Sequence, residues 1–116
     1  MFTKGSDTGY TTPVEGIQQK TLVYGQKTLM TEFRLKAGST LPLHHHPYEQ
    51  TGYLVRGKLR LLVGEEKYEA QAGDSWCMAK DVTHGAEVLE DSVAIEVFSP
   101  RRDDYLPANA TQQAST

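Results

Sequence analysis

The stretch GSTLPLHHHPYEQTGYLVRG, from Gly38 to Gly57, contains three of the four histidines of the chain, side by side. Imidazole is the commonest metal ligand in proteins and binds metal in its neutral form. On a β-strand, residues two apart point to the same face, so His44 and His46 can converge on one ion while His45 points away. A histidine run can also be a polar loop or an expression tag, but a tag normally lies at a terminus and this run is internal. The stretch therefore predicts a metal site.

Length and composition indicate one small domain. The 116 residues have a mass of 12.9 kDa, which is enough for a self-sufficient core. We expect a single domain over residues 1–106, with its core at about 18–106. Residues 107–116 are small and polar, and we expect them to form a disordered tail.

Charge and hydropathy exclude several classes of partner. The net charge is −3 with both signs interspersed, which gives no indication of binding to nucleic acid or to an anionic membrane surface. The mean hydropathy is −0.52, and no apolar run has the length of a transmembrane helix. The first residues also lack the apolar segment of a signal peptide. A single cysteine, Cys77, fits a reducing compartment, so we expect a cytoplasmic protein with Cys77 as a small buried hydrophobe.

The chain reads as a series of short strands separated by Gly, Asp and Pro. In residues 29–35, for example, the odd-numbered and even-numbered positions form two opposite faces. Short connections at 56–58 and 64–66 indicate hairpins, and no convincing amphipathic helix lies in the middle of the chain. Many short strands at this spacing predict an all-β sandwich or closed barrel. The predicted strands are 29–35, 41–46, 50–55, 58–63, 67–71, 75–79, 85–89 and 92–98.

Two blocks of the sequence resemble the two motifs of the cupin family. The stretch from Gly38 to Gly57 is similar to the first motif, which is a glycine, five residues, HxH, three or four residues, an acid, six residues and a glycine. The stretch GDSWCMAKDVTH, from Gly73 to His84, is similar to the second, in which the histidine follows the glycine by eleven residues. The resemblance implies an all-β double-stranded β-helix, a jelly-roll-like barrel, with one divalent metal in its mouth.

Carried over to this chain, the resemblance implies that the metal ligands are His44, His46, Gln50 and His84. The acid usual in the family is replaced by Gln50, and strand alternation disfavours the neighbouring Glu49 as a substitute. A neutral amide leaves the ion its full charge, which strengthens its pull on an anionic substrate and weakens the affinity for the metal. Such a ligand set does not distinguish Zn, Ni, Fe, Co, Mn and Cu.

The last predicted strand contains the candidate catalytic residues. Its alternation allows two arrangements, because either the odd-numbered residues 93–97 fill the core and Glu96 is solvated, or Glu96 and Phe98 face inward. The segment from Glu96 to Leu106 resembles the end of the pectin-degradation cupins of the KdgF type. In those cupins an acid, a phenylalanine two residues later and an arginine four residues further on line the pocket. The resemblance implies that Glu96, Phe98 and Arg102 are the catalytic residues.

The same resemblance implies a substrate, which is a small anionic sugar. The reaction would be metal-dependent ring opening of 4,5-unsaturated uronate monosaccharides from pectin or alginate to linear 5-keto-4-deoxyuronate, with no redox change. Glu96 would transfer a proton, Arg102 would bind the carboxylate with two hydrogen bonds and Phe98 would exclude water. One alternative is an Fe- or Ni-dependent, quercetinase-like dioxygenase, and another is a cupin that binds metal and a small ligand without catalysis.

Exposed apolar residues predict a homodimer. The strand that contains Gln50 has apolar side chains on both faces, with Tyr53 and Val55 on the face opposite Gln50. The aromatic side chains outside the catalytic segment are expected to pack in the barrel or in the dimer interface, rather than to stack on a sugar. These aromatic residues are Tyr48, Tyr53, Tyr68 and Trp76.

Overall fold

The computed structural model describes residues 1–107, and these form a jelly-roll-like antiparallel β fold, as predicted. Helix within this part of the chain is limited to one 3-10 turn at Asp103–Tyr105, and no helix in it is long and apolar enough to cross a membrane. The strands are β1 (Thr11–Val14), β2 (Ile17–Tyr24), β3 (Leu29–Leu35), β4 (Thr40–His44), β5 (Glu49–Val63), β6 (Glu66–Gln71), β7 (Ser75–Met78) and β8 (His84–Ser99).

The strands pair in the order β1-β2-β3-β8-β5-β6, and β4 and β7 pair with β8 and β5 respectively. β5 and β8 are therefore the central strands, and they pair with each other over most of their length. β4 pairs with the first part of β8, whereas β3 pairs with its second part. His46, just after β4, contacts His84 at the beginning of β8 and Phe98 near its end, so both ends of β8 meet the end of β4 at one end of the barrel.

The predicted hairpin at 56–58 is wrong, because β5 continues through this region as one strand. Gly57 has a φ of +98°, and the pairing register with β8 shifts on either side of it, so the glycine forms a bulge rather than a turn. A Cβ at this position would overlap the Ser92 hydroxyl and the Asp91 carbonyl oxygen. The bulge bends β5, which then pairs with β7 through its first half and with β6 through its second.

The predicted hairpin at 64–66 is confirmed, since Val63 pairs with Glu66 across it. The predicted strands 85–89 and 92–98 are one strand, β8, which bends beside the bulge of β5. β1 and the first residue of β2 precede Gln18, where the alternation seen in the sequence begins. Of the predicted tail 107–116, residues 108–116 lie outside the described residues.

Burial along β8 decides between the two arrangements of its side chains. Ala94, Glu96 and Phe98 are buried, whereas the odd-numbered residues 93–97 are only partly buried. The arrangement that placed those odd-numbered residues in the core and Glu96 in solvent is therefore wrong. The core consists of small and medium apolar side chains from β2, β3, β5, β6, β7 and β8: Ile17, Leu35, Leu54, Leu59, Leu61, Ala70, Met78, Ala86, Val88 and Ala94.

Cys77 is exposed, which contradicts the prediction that it is a buried hydrophobe. In β7 its two neighbours, Trp76 and Met78, pack inward, so strand alternation turns Cys77 outward. Its partner across the strand pair is Thr51, which is also exposed.

Candidate metal centre and active site

Three histidines converge at one end of the barrel. His44 is the last residue of β4 and pairs directly with His84, the first residue of β8. His46 lies two residues beyond the end of β4, although the sequence pattern predicted that the strand would include it. One ring nitrogen from each of the three lies within 4.8 Å of the others, while His45 is exposed. The cluster therefore contains two residues of the histidine run, His44 and His46, together with the distant His84.

The hydrogen bonds of these rings show that the cluster fits a metal ion. The Nδ1 atom of His84 lies 3.0 Å from the carbonyl oxygen of Val82, and that of His44 lies 2.8 Å from the carbonyl oxygen of Pro42. A carbonyl only accepts, so both Nδ1 atoms are protonated and each Nε2 retains its lone pair. The His84 Nε2 is buried and has no hydrogen-bond partner among the described residues. Such an unsatisfied acceptor costs free energy that a metal ligand bond would remove.

The protonation states of the cluster also favour metal binding. Burial lowers the pKa of His84, and burial together with the positive charge of Arg102 lowers the pKa of His46. Both rings are therefore neutral at neutral pH, which is the form that binds a metal. The Nδ1 of His46 is a second buried atom without a hydrogen-bond partner among the described residues.

Gln50 connects the histidine cluster to the candidate proton donor. It is buried on the first half of β5, and its Oε1 lies 3.0 Å from His46 Nε2. Its Nε2 donates a 2.9 Å hydrogen bond to Glu96 Oε2. The amide therefore presents oxygen to the metal cluster and N–H to the carboxyl group. Glu49, the alternative acid, is exposed, so its side chain does not enter the cluster.

Glu96 is buried inside the barrel and is 7% exposed. Besides the bond from Gln50, it accepts a 2.9 Å hydrogen bond at Oε1 from the indole Nε1 of Trp76. Burial raises the pKa of Glu96 to about 7, and the two hydrogen bonds act in the opposite direction. A carboxyl group with this pKa can both accept and donate a proton near neutral pH. The sequence analysis expected Trp76 to be a packing residue and missed this contact.

Arg102 lies at the mouth of the barrel, just before the 3-10 turn. Its guanidinium carbon is 3.8 Å from the ring centre of Tyr105 and 5.0 Å from that of Phe98, and its side chain is 14% exposed. Asp104 accepts hydrogen bonds from its Nη2 at 2.7 Å and its Nε at 3.2 Å. These bonds fix the guanidinium in place and, within residues 1–107, leave the edge formed by Nη1 and the second N–H of Nη2 for a ligand. Tyr105 and Asp104 were not singled out in the sequence, because nothing local indicates that this segment folds back over the barrel.

A cavity of about 310 Å³ connects these groups. Its size is at the small end of the range for ligand pockets and suits one monosaccharide rather than a polymer. Its lining combines apolar side chains of the barrel, among them Phe98, with ionisable and polar groups. These groups include His44, Gln50, His84, Glu96 and Arg102.

The family assignment follows from comparison with known proteins. Residues 31–99 match the family described as Cupin domain. This protein is a cupin. The two sequence motifs thus gave the correct family, and their histidines are those of the cluster described above.

Two of the similar proteins are KdgF proteins, and a third is described as an RmlC-like cupin. This cupin is 30% identical over 94 residues to the pectin degradation protein KdgF of Dickeya dadantii (strain 3937), covering 79% of this chain and 86% of that protein. It is also 30% identical in sequence to KdgF from Halomonas sp. The structure of that protein matches with a TM-score of 0.86 and covers 91% of this chain and 98% of that one. An RmlC-like cupin from Shewanella frigidimarina NCIMB 400 matches with a TM-score of 0.85 and 26% identity, over 90% of this chain and 95% of that one.

Proposed function

We propose that this cupin opens the ring of 4,5-unsaturated uronate monosaccharides to give linear 5-keto-4-deoxyuronates, with one divalent metal per chain. The observation that carries the proposal is the buried carboxyl group of Glu96, which shares a monosaccharide-sized cavity with the histidine cluster and with Arg102. Similarity to a pectin degradation protein supports the same class of substrate.

The metal would be held by His44, His46, His84 and Gln50. When bound, it supplies Lewis acidity that stabilises negative charge developing on a substrate oxygen. Gln50 can serve as a ligand through its amide oxygen while its N–H remains on Glu96, because the two ends of the amide point in different directions.

Glu96 would move the proton that the isomerisation requires. In the cyclic substrate the C1 hydroxyl loses its proton, the C1–ring oxygen bond breaks and C1 becomes an aldehyde. The ring oxygen remains on C5 as an enolate oxygen, and protonation at C4 then gives the C5 ketone. Glu96 accepts the first proton and returns one at C4, so no redox partner is needed. General acid–base catalysis of this kind typically contributes 10²- to 10⁴-fold.

Arg102 would bind the substrate carboxylate. Its Nε and one N–H of Nη2 are occupied by Asp104, so the remaining N–H groups of Nη1 and Nη2 form the edge that can bind two carboxylate oxygens. Phe98 is 1% exposed and forms an apolar wall beside Arg102, which keeps water from that side of the sugar.

The direct test is to incubate the purified, metal-loaded protein with unsaturated galacturonate and unsaturated mannuronate. The proposal predicts loss of the ultraviolet absorbance of the conjugated double bond, without oxygen consumption. Chelated protein should be inactive, and Glu90→Gln, a change at an exposed carboxylate on β8, should be fully active. Oxygen uptake with an aromatic substrate would instead support the dioxygenase alternative. Binding of the uronates without turnover would support the non-catalytic one.

A further inference from the structure

We propose that Trp76 is a positioning residue whose indole N–H holds the Glu96 carboxyl group in its place in the cavity. The catalytic consequence of this role rests on the proposed function, whereas the contact itself can be tested without any substrate. Trp76 is partly buried on β7, packs against the core and lines the same cavity as Glu96.

The register of three strands brings the two side chains together. Gly52 on β5 pairs with Trp76 on β7 at one side and with Glu96 on β8 at the other. The three residues thus form one row across the sheet, with the side chains of Trp76 and Glu96 on the inner face. A hydrogen bond between Trp76 and Glu96 must cross above Gly52, since the two strands that carry them do not pair with each other.

Glycine at position 52 makes this crossing possible. A Cβ at that position would overlap both Glu96 Oε1 and Trp76 Nε1. The space that a side chain would fill is therefore occupied by the hydrogen-bonded pair itself. Gly52 has no left-handed backbone angle, so the need for glycine here comes from space and not from backbone conformation.

The bond to Trp76 completes the restraint on Glu96. Gln50 donates to Oε2, and the indole donates to Oε1 at 2.9 Å with a longer contact of 3.4 Å to Oε2, so the carboxyl group is held by donors on two different strands. The backbone of Glu96 is held as well, because the Thr31 hydroxyl donates to its carbonyl oxygen at 3.1 Å. With only the Gln50 bond, the carboxyl group could rotate about its terminal bond, and the oxygen that moves the proton would lose its fixed position.

The first experiment uses the fact that Trp76 is the only tryptophan in the chain. Protein labelled with ¹⁵N therefore gives one indole N–H resonance, and its shift reports on the acceptor of this bond. The proposal predicts that Glu96→Gln moves the resonance and that Glu90→Gln, the matched exposed control, leaves it in place. An unchanged resonance in Glu96→Gln would overturn the proposal, whether or not the protein acts on uronates.

The second experiment removes the donor and measures turnover and metal content. Trp76→Phe removes the N–H but also reduces the ring, so the same measurement is made on protein in which 3-benzothienyl-L-alanine, with sulfur in place of N–H, replaces the single tryptophan. Both should bind as much metal as the wild type. Both should lower kcat by about tenfold or more and change KM by less than about threefold, since the substrate contacts are intact. Tyr68→Phe, at an exposed tyrosine on β6, is the control and should leave kcat unchanged.

The outcomes separate the two proposals. If the wild type converts uronates and the benzothienyl protein retains its kcat, Trp76 does not position Glu96 and the inference is wrong. If the wild type converts no uronate, the proposed function fails, and the indole resonance of Glu96→Gln alone decides whether Trp76 holds the carboxyl group.

Discussion

The side-chain amide of Gln50 donates a 2.9 Å hydrogen bond to Glu96 Oε2, while its oxygen faces His46. A glutamate at this position could supply an oxygen to the metal but could not donate to Glu96. It would also place a second carboxylate in hydrogen-bond range of the first, inside a buried site. The contact with Glu96 therefore explains why position 50 has an amide in place of the acid that is usual in cupins.

Gln50→Glu is consequently expected to retain metal and lose turnover. A carboxylate is a stronger ligand than an amide, so metal content measured by elemental analysis should not fall. Turnover should fall by about 10²-fold or more, because the position and proton affinity of Glu96 are both altered. Glu49→Gln, at the exposed neighbour, is the control and should change neither quantity. Wild-type turnover in Gln50→Glu would show that the amide N–H has no role.

The histidine cluster should account for the bound metal. The double change His44→Ala/His46→Ala removes two of the three converging imidazoles and should reduce metal content from about one ion per chain to none. Circular dichroism should still show a β protein, because the barrel core contains none of these side chains. His45→Ala changes an exposed ring and should keep its metal. Undiminished metal in the double variant would mean that the site lies elsewhere.

The pKa of Glu96 predicts a specific pH dependence of stability in metal-free protein. Burial raises this pKa from 4.5 in an exposed side chain to about 7, so the folded state binds the proton more tightly than the unfolded state. The resulting stabilisation is complete below about pH 4.5 and is lost as the pH rises to about 7. It corresponds to roughly 3 kcal/mol in the free energy of unfolding.

Urea unfolding of chelated wild-type and Glu96→Gln protein between pH 4.5 and 7.5 measures this effect. Burial lowers the pKa of His46 and His84, which destabilises the folded state at acid pH, but that contribution is present in both proteins. The difference in free energy of unfolding between the two proteins isolates the contribution of Glu96. As the pH rises, the wild type should become less stable relative to Glu96→Gln. A difference independent of pH would contradict the assigned pKa.

We propose that the outer face of the central sheet is the interface of a homodimer. Tyr53 and Val55 on β5 are 49% and 47% exposed, and the partly buried Ile95 and Val97 lie beside them on β8. Light scattering at micromolar concentration should give a mass near twice 12.9 kDa. Tyr53→Lys/Val55→Lys should reduce it to that of one chain, while Tyr68→Lys, on another exposed tyrosine, should not. A wild-type mass of one chain would show that this face is free.

The sequence could predict the features that depend on local spacing. The two glycine-led blocks gave the cupin family and its fold, and alternation correctly separated His45 from the other histidines and Glu49 from Gln50. Glycine itself was less informative. Gly57 was interpreted as a turn but forms a bulge in β5. A turn and a bulge can have the same local sequence, and only the pairing with β8 on both sides of Gly57 distinguishes them.

The features that depend on register between distant strands could not be predicted. Alternation established that Glu96 and Phe98 share a face, but which face looks into the barrel depends on how β8 packs between β3 and β5, and the burial of both side chains shows it. The bond from Trp76 to Glu96 depends on two registers at once, both relative to Gly52. Arg102 and Asp104 are two residues apart, yet nothing in that spacing indicates that their ion pair lies at the mouth of the cavity.

The role of Glu96 is tested most directly by the kinetics of Glu96→Gln beside Arg102→Ala. The amide keeps the shape of the side chain and removes its acid–base capacity, so kcat for unsaturated uronates should fall by about 10²- to 10⁴-fold, with metal content and substrate affinity preserved. Arg102→Ala should mainly weaken substrate binding, by about 1.5–3 kcal/mol, because it removes hydrogen bonds to a charged group. Near wild-type kcat in Glu96→Gln, with every unsaturated uronate that the wild type converts, would contradict the account.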